Sequence, residues 1–203
     1  MRTPLRVITS VVALSCLGAV LSLPASAVTS TTQTTQEPSF GTPLTHLMKQ
    51  VFSAIESGNS STALQSFFPE APYVSMKAGL IAYPAADYKN RLVAFFKLDL
   101  AAYRNAFAGR MPSTFVGVNA NPKFAQWIAP GACENSIGYW HVPGVRMVVR
   151  RNGRLVSAAV FSLISWRGQW YVIHLGPNPR PRNVGTVAEF HTGRGVAGPA
   201  GGC

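Results

Sequence analysis

Residues 135 to 175 read as four strand-like runs separated by three two-residue turn signals, Pro143-Gly144, Asn152-Gly153 and Arg167-Gly168. The runs are rich in Val, Ile, Trp and Tyr, whose branched or flat side chains suit a pleated surface. Dipeptides ending in Gly accept the positive φ that tight hairpins require. Strands joined by such short turns lie side by side, so this stretch commits the chain to an antiparallel sheet. Each turn also sets a register. Asn152-Gly153 pairs Val149 with Val156 and Met147 with Ala158, while Arg167-Gly168 pairs Ile164 with Tyr171 and Ser162 with Ile173. Carried through Pro143-Gly144, the same rule pairs Trp140 with Met147.

One sheet face then holds Trp140, Met147, Val149, Val156, Val160, Ile164, Trp166, Tyr171, Ile173 and Leu175, nearly all apolar. That face is the natural seat for a helix. The other carries Tyr139, His141, Arg146, Ser157, Phe161, Leu163, Ser165, Trp170, Val172 and His174, an apolar floor dotted with polar groups. It is available to a ligand cavity or to a dimer interface.

Upstream, Gly41-Thr42-Pro43 opens a helix in which Leu44, Leu47, Met48, Val51 and Ile55 recur at helical spacing, and Gly58 ends it. A short second helix is expected over residues 61–68, closed by Pro69. The longest helix starts at Pro84 and runs to about Phe107, with Tyr88, Leu92, Phe95, Phe96 and Tyr103 on a wide apolar face. Strands are expected near Phe115 to Asn119 and Lys123 to Ile128. After Leu175, the prolines at 177, 179 and 181 lack amide donors and predict coil to the C-terminus.

The N-terminus carries the signature of an export signal. Arg2 and Arg6 precede a charge-free apolar run, and Ala25-Ser26-Ala27 supplies the small residues of a cleavage site. Residues 1–27 therefore read as a signal peptide, with no membrane-spanning helix left after cleavage. Residues 28–41 read as a flexible leader, 42–176 as one α+β domain and 177–203 as a Pro/Gly-rich coil tail. The protein is expected outside the cytoplasm, secreted or held in the envelope. Cys16 matches a lipobox only in part, since Ala13 stands where Leu is usual and the apolar run continues past it. Two cysteines survive cleavage, Cys133 and Cys203, and an oxidising compartment favours a bridge between them over free thiols or pairing between chains.

Composition narrows the partners. The formal net charge is +11, from 18 basic against 7 acidic residues. No basic run exceeds Arg150-Arg151, so the excess is a dispersed solvated surface rather than a groove for phosphates, and no specific nucleic-acid partner is expected.

The order of helix, helix, long helix and antiparallel strands over residues 43–175 resembles the NTF2-like (cystatin-like) cone. That resemblance implies N-terminal helices packed on a curved antiparallel sheet, here ending in a four-strand meander, with a pocket at the open end. Phe67-Phe68-Pro69, Asp87-Tyr88-x-Asn90-Arg91-Leu92 and the stretch from Ser162 to Val172 are also similar to a group of exported actinobacterial proteins without established chemistry.

No nucleophile elbow, phosphate loop, His-Glu-x-x-His or Cys-x-x-Cys motif occurs, and neither a catalytic set nor a cofactor is read from the sequence. His141 and His174 fall on the first and fourth runs, about 14 Å apart by strand spacing, too far to share a metal ion. Tyr139, Phe161, Trp170 and His174 are the pocket-lining candidates, with Asp87 the one acid placed to approach His174. Asp87 also sits four residues before Arg91, a helical ion-pair spacing. Three readings follow: a non-enzymatic binding domain for a small apolar or amphipathic ligand, an isomerase or dehydratase using an Asp/His pair, and a dimerising interaction module. The absence of any catalytic motif tips the balance to the first.

Overall fold

The computed structural model describes residues 33–107, 112–199 and 201–202. Residues 1–27, expected to be a signal peptide and including Cys16, and Cys203 lie outside the described residues.

Helix α1 spans Thr42–Ser57 and buries the expected stripe of Leu44, Leu47, Met48, Val51 and Ile55, with Phe52 and Ala54 beside it. Pro43 sits in its first turn, where a missing amide hydrogen breaks no helical bond. Gly58 ends the helix in a left-handed conformation (φ 69°), donating its N–H to the Ile55 carbonyl at 3.3 Å. Asn59 then caps the short α2, Ser60–Ala63, accepting from the amides of Ser61 and Thr62.

Here the chain departs from the expected helix over residues 61–68. Ser66 to Phe68 is extended and runs parallel to a later strand: Val172 N–H donates to Ser66 O at 3.0 Å, and Phe68 N–H to Val172 O at 2.9 Å. Pro69 disfavours helical φ/ψ in the residue before it. The extended form also lets two phenylalanines work separately. Phe67 stacks on Phe96 with ring centroids 4.5 Å apart, while Phe68 meets Trp166 and Tyr171 edge-on. Pro69 starts α3, Glu70–Lys77, with the acid in the first turn and the base in the last, as the helix dipole favours.

The long helix begins as expected at Pro84. It runs as α4, Pro84–Asp87, a π-helical turn, Tyr88–Val93, and α5, Ala94–Phe107. The wider turn inserts an extra residue into the helical repeat and so rotates the faces on either side of it. Tyr88, Leu92, Phe96, Leu100, Tyr103 and Phe107 all reach the core.

Among the described residues, six antiparallel strands form one open sheet: β1 Thr114–Asn119, β2 Gln126–Ile128, β3 Tyr139–Arg151, β4 Arg154–Trp166, β5 Gln169–His174 and β6 Ala188–Thr192. Their order is β1-β3-β4-β5, with β2 also along β3 and β6 also along β4. Two turns are as expected. Both residues of Asn152-Gly153 and of Arg167-Gly168 have positive φ, and the pairs Val149↔Val156, Met147↔Ala158 and Ile164↔Tyr171 all form.

The third turn does not exist. β3 runs straight through Pro143-Gly144, so the four-strand meander is a meander of three. Trp140 lies opposite Trp127 of β2 rather than Met147. Gly144 does adopt φ 63°, but as a kink within the strand, where its carbonyl accepts from the amide of Gly198. A Cβ on Gly144 would sit 2.9 Å from the Gly198 backbone. The dipeptide thus signals a close backbone approach instead of a reversal. A bulge between Ser162 and Leu163 supplies a second shift, setting Ser162 opposite His174 rather than Ile173.

Both flanking segments are more ordered than coil. In the leader, Gln33 donates to the carbonyls of Gly138 and Ser165 and accepts from Arg167 N–H at 2.7 Å, and Phe40 packs edge-on against Trp170. In the tail, β6 pairs with β4, and Arg180 forms a buried ion pair with Asp99 of α5. Asp99 also accepts the amides of Gly176 and Thr186, each at 2.9 Å. The missing proline donors prevent a strand directly after β5, but they do not prevent side chains further along from anchoring the segment.

Candidate functional site

A cavity of about 230 Å³ brings together the buried polar residues Asn135, His141 and Ser162 with the charged side chains of Lys77 and Arg91. Its walls come from Phe68, α3, the π-helical turn, the loop around Cys133 to Asn135, and the inner positions of β3, β4 and β5. On α3, Tyr73, Met76 and Lys77 are spaced three and four residues apart, so they share the face turned to the cavity. The π-helical turn contributes Arg91 and Leu92. Asn178 and Gly202 of the tail complete the rim.

The sheet contributes His141, Ser162 and His174 from three neighbouring strands. His141 Nε2 lies 2.7 Å from Ser162 Oγ, and Ser162 is the register partner of His174. The two histidines are therefore two strand spacings apart, about 9.6 Å laterally, not three. This corrects the separation expected from a turn at Pro143-Gly144, because removing that turn removes one strand from between them.

His141 is 1% exposed, and its Nδ1 has no hydrogen-bond partner among the described residues. Burial pushes its pKa down to about 4. His174 is pushed down to about 3, first by burial and then by the positive charges of Arg91, Arg180 and Lys77. Both rings are neutral donor–acceptor groups at neutral pH.

The opposite wall is built on a charged triad. Arg91 grips Asp87 through two bonds, Nε to Oδ1 at 2.7 Å and Nη2 to Oδ2 at 2.6 Å. Tyr73 donates its hydroxyl to Asp87 Oδ2 and accepts from Arg91 Nη2 at 3.2 Å. Arg91 holds the Asp87 carboxyl below its ordinary range, and burial with the Asp87 bond raises the Tyr73 hydroxyl. Lys77 Nζ donates to the Cys133 carbonyl at 3.2 Å, and burial lowers its pKa. Tyr139 accepts from Asn135 Nδ2 at 3.2 Å, and burial pushes its hydroxyl up to about 12.

Of the residues singled out in the sequence, Tyr139, Phe161 and His174 line this cavity. Trp170 does not. It faces a separate groove with His46, Gln65 and Pro38, because the extended Ser66 to Phe68 segment runs alongside β5 there. Asp87 stands behind the lining, its carboxylate consumed by Arg91 and Tyr73, and it makes no hydrogen bond to His174. Cys133 lines the cavity near Gly202.

Tyr73, Lys77, Arg91 and Ser162 escaped the sequence reading. The first two were legible in principle, since Pro69-Glu70 announces a helix and the Tyr73/Met76/Lys77 spacing gives it a face. Ser162 was not, because its orientation depends on the bulge.

The arrangement limits the chemistry. The Ser162–His141 contact has the separation of a nucleophile–base pair, but no carboxylate orients the second imidazole nitrogen, and nothing raises the basicity of a ring held at a pKa of about 4. The Asp87 carboxylate bonds Arg91 and Tyr73 and not His174. No group of three or more His, Cys, Asp and Glu suited to a metal ion occurs among the described residues, and no helix there is long and apolar enough to cross a membrane. No protein-family model matches the chain, and neither a curated protein nor a solved structure is significantly similar to it.

Proposed function

We propose that this protein is an exported, non-enzymatic binding domain with an NTF2-like cone architecture, whose cavity takes a small amphipathic ligand. Export rests on the charged, apolar and Ala-Ser-Ala succession of residues 1–27. The cone reading is supported by helices packed on a kinked and bulged sheet with a cavity between them. One observation carries the binding function. Apolar walls of Phe68, Met76, Leu92, Ile164 and Ile173 surround polar side chains that include Lys77, Asn135, His141 and Ser162. The volume is below the ~300–1,000 Å³ of drug-sized sites, which points to a short chain or a single ring.

Isothermal titration of the mature protein with a series of short-chain alcohols and acids tests this reading. Saturable binding is expected, and Ile164→Trp, which fills the cavity, is expected to abolish it. Binding unaffected by that substitution would place the ligand elsewhere and end the proposal.

A further inference from the structure

We infer that the ligand carries a carboxylate, seated at the Lys77–Arg91 side of the cavity with its hydrocarbon part toward Ile164 and Ile173; this rests on the cavity-binding reading above. The argument starts from unused hydrogen-bond capacity. Lys77 Nζ spends one of its three donors, on the Cys133 carbonyl. Arg91 spends Nε and Nη2 on Asp87 and Tyr73, and its Nη1 makes no hydrogen bond among the described residues. Tyr139 accepts from Asn135 without donating its own proton to any described residue. Ser162 and His141 satisfy each other through one hydrogen bond. The unspent groups on the lining are thus mostly donors, and a ligand complementary to them must bring acceptors.

Charge points the same way. Arg91 is balanced by Asp87 in a two-bond pair, so Lys77 supplies the surplus. Glu134 is the acid on the lining, but it is exposed at the rim and makes no ion pair with Lys77. His174 lies deeper on the same lining, where burial first and then the charges of Arg91, Arg180 and Lys77 disfavour its protonated form. An ammonium ligand would face Lys77 and Arg91 and be repelled. A neutral alcohol could use the donors but not the charge. A carboxylate uses both, through charge-assisted hydrogen bonds.

Chain-matched octanoate, octanol and octylammonium separate these cases by calorimetric titration of the full mature chain. Octanoate is expected to bind about tenfold (~1.4 kcal/mol) tighter than octanol, with octylammonium weakest. Lys77→Gln should abolish the preference for octanoate over octanol, and Lys77→Arg should keep most of it. Thermal melts of both variants at the wild-type midpoint establish that the fold is retained; Lys77 is half-buried and forms no ion pair among the described residues. Equal binding of octanoate and octanol, or a preference that survives Lys77→Gln, overturns the carboxylate assignment while leaving cavity binding intact. Failure of all three probes to bind overturns the binding reading and this inference with it.

Discussion

The Asp99–Arg180 pair offers the sharpest test of how the C-terminal segment is held. Asp99 is 2% exposed and Arg180 3% at their side chains. The Asp99 carboxylate accepts from the amides of Gly176 and Thr186 as well as from the guanidinium, which lies 4.3 Å from the centroid of the Phe95 ring. Asp99→Ala removes the acceptor for all three donors at once. Leaving one partner of a buried pair uncompensated costs about 3–5 kcal/mol. The two stranded amides add roughly 1–3 kcal/mol each wherever water cannot reach them. Against a total stability of about 5–15 kcal/mol, Asp99→Ala is expected to be severely destabilising. Arg180→Met is expected to lose about 3 kcal/mol, because Asp99 keeps its two amides but not its cation. The double variant Asp99→Ala/Arg180→Met buries no charge and strands only the amides, so it should be more stable than Asp99→Ala alone. Urea unfolding followed by tryptophan fluorescence reads all four proteins, with unchanged m-values required for the comparison. Hydrogen exchange at the Ala188 amide, which donates to Tyr103 Oη at 3.1 Å, reports whether the loss is global or confined to the tail. A loss below about 1 kcal/mol for Asp99→Ala, or strictly additive single and double variants, refutes the reasoning.

Two further outcomes follow from the cavity and its rim. His141 has a folded pKa near 4 against about 6.5 unfolded, so the unfolded chain binds its proton first as pH falls. Its contribution is complete above pH 6.5 and declines by about 1.4 kcal/mol per pH unit down to pH 4, with His174 adding in the same direction. Urea midpoints for His141→Phe should therefore fall less steeply between pH 7 and 5 than those of the wild type; parallel slopes would falsify the assignment. A Cys133–Cys203 bridge, proposed from the sequence and compatible with Gly202 on the same cavity as Cys133, closes a loop of about 70 residues and adds roughly 4 kcal/mol. The proposed export and cleavage after Ala27 predict an intact mass that starts at Val28 and lies two hydrogens below the dithiol value. A mass that alkylation shifts without prior reduction excludes the bridge.

Local chemistry made much of this molecule legible in advance. Gly58 ends α1 because few other residues accept its left-handed conformation, and Asn152-Gly153 and Arg167-Gly168 reverse the chain because both residues of each take positive φ. Pro84 starts the long helix, and the apolar stripe of α1 finds the core. These features depend on neighbours a few residues away, so a reader of the chain has all the information at hand. Pro143-Gly144 marks the limit. Its positive φ was readable, but whether that φ made a reversal or a kink depended on Gly198 and on the partner strands, far along the chain. That single ambiguity displaced His141 by one strand and concealed its contact with Ser162. The Ser162 bulge, the turning of Phe67 and Phe68 to separate contacts and the pairing of Asp99 with Arg180 are of the same kind. Each trades a local preference for contacts that exist only after distant segments meet. The two Gly-turn hairpins, α1 and the start of the long helix were determined by the sequence read locally; the cavity, assembled from α3, the π-helical turn and three strands, was decided only by tertiary packing, which brings donors remote in sequence to one surface.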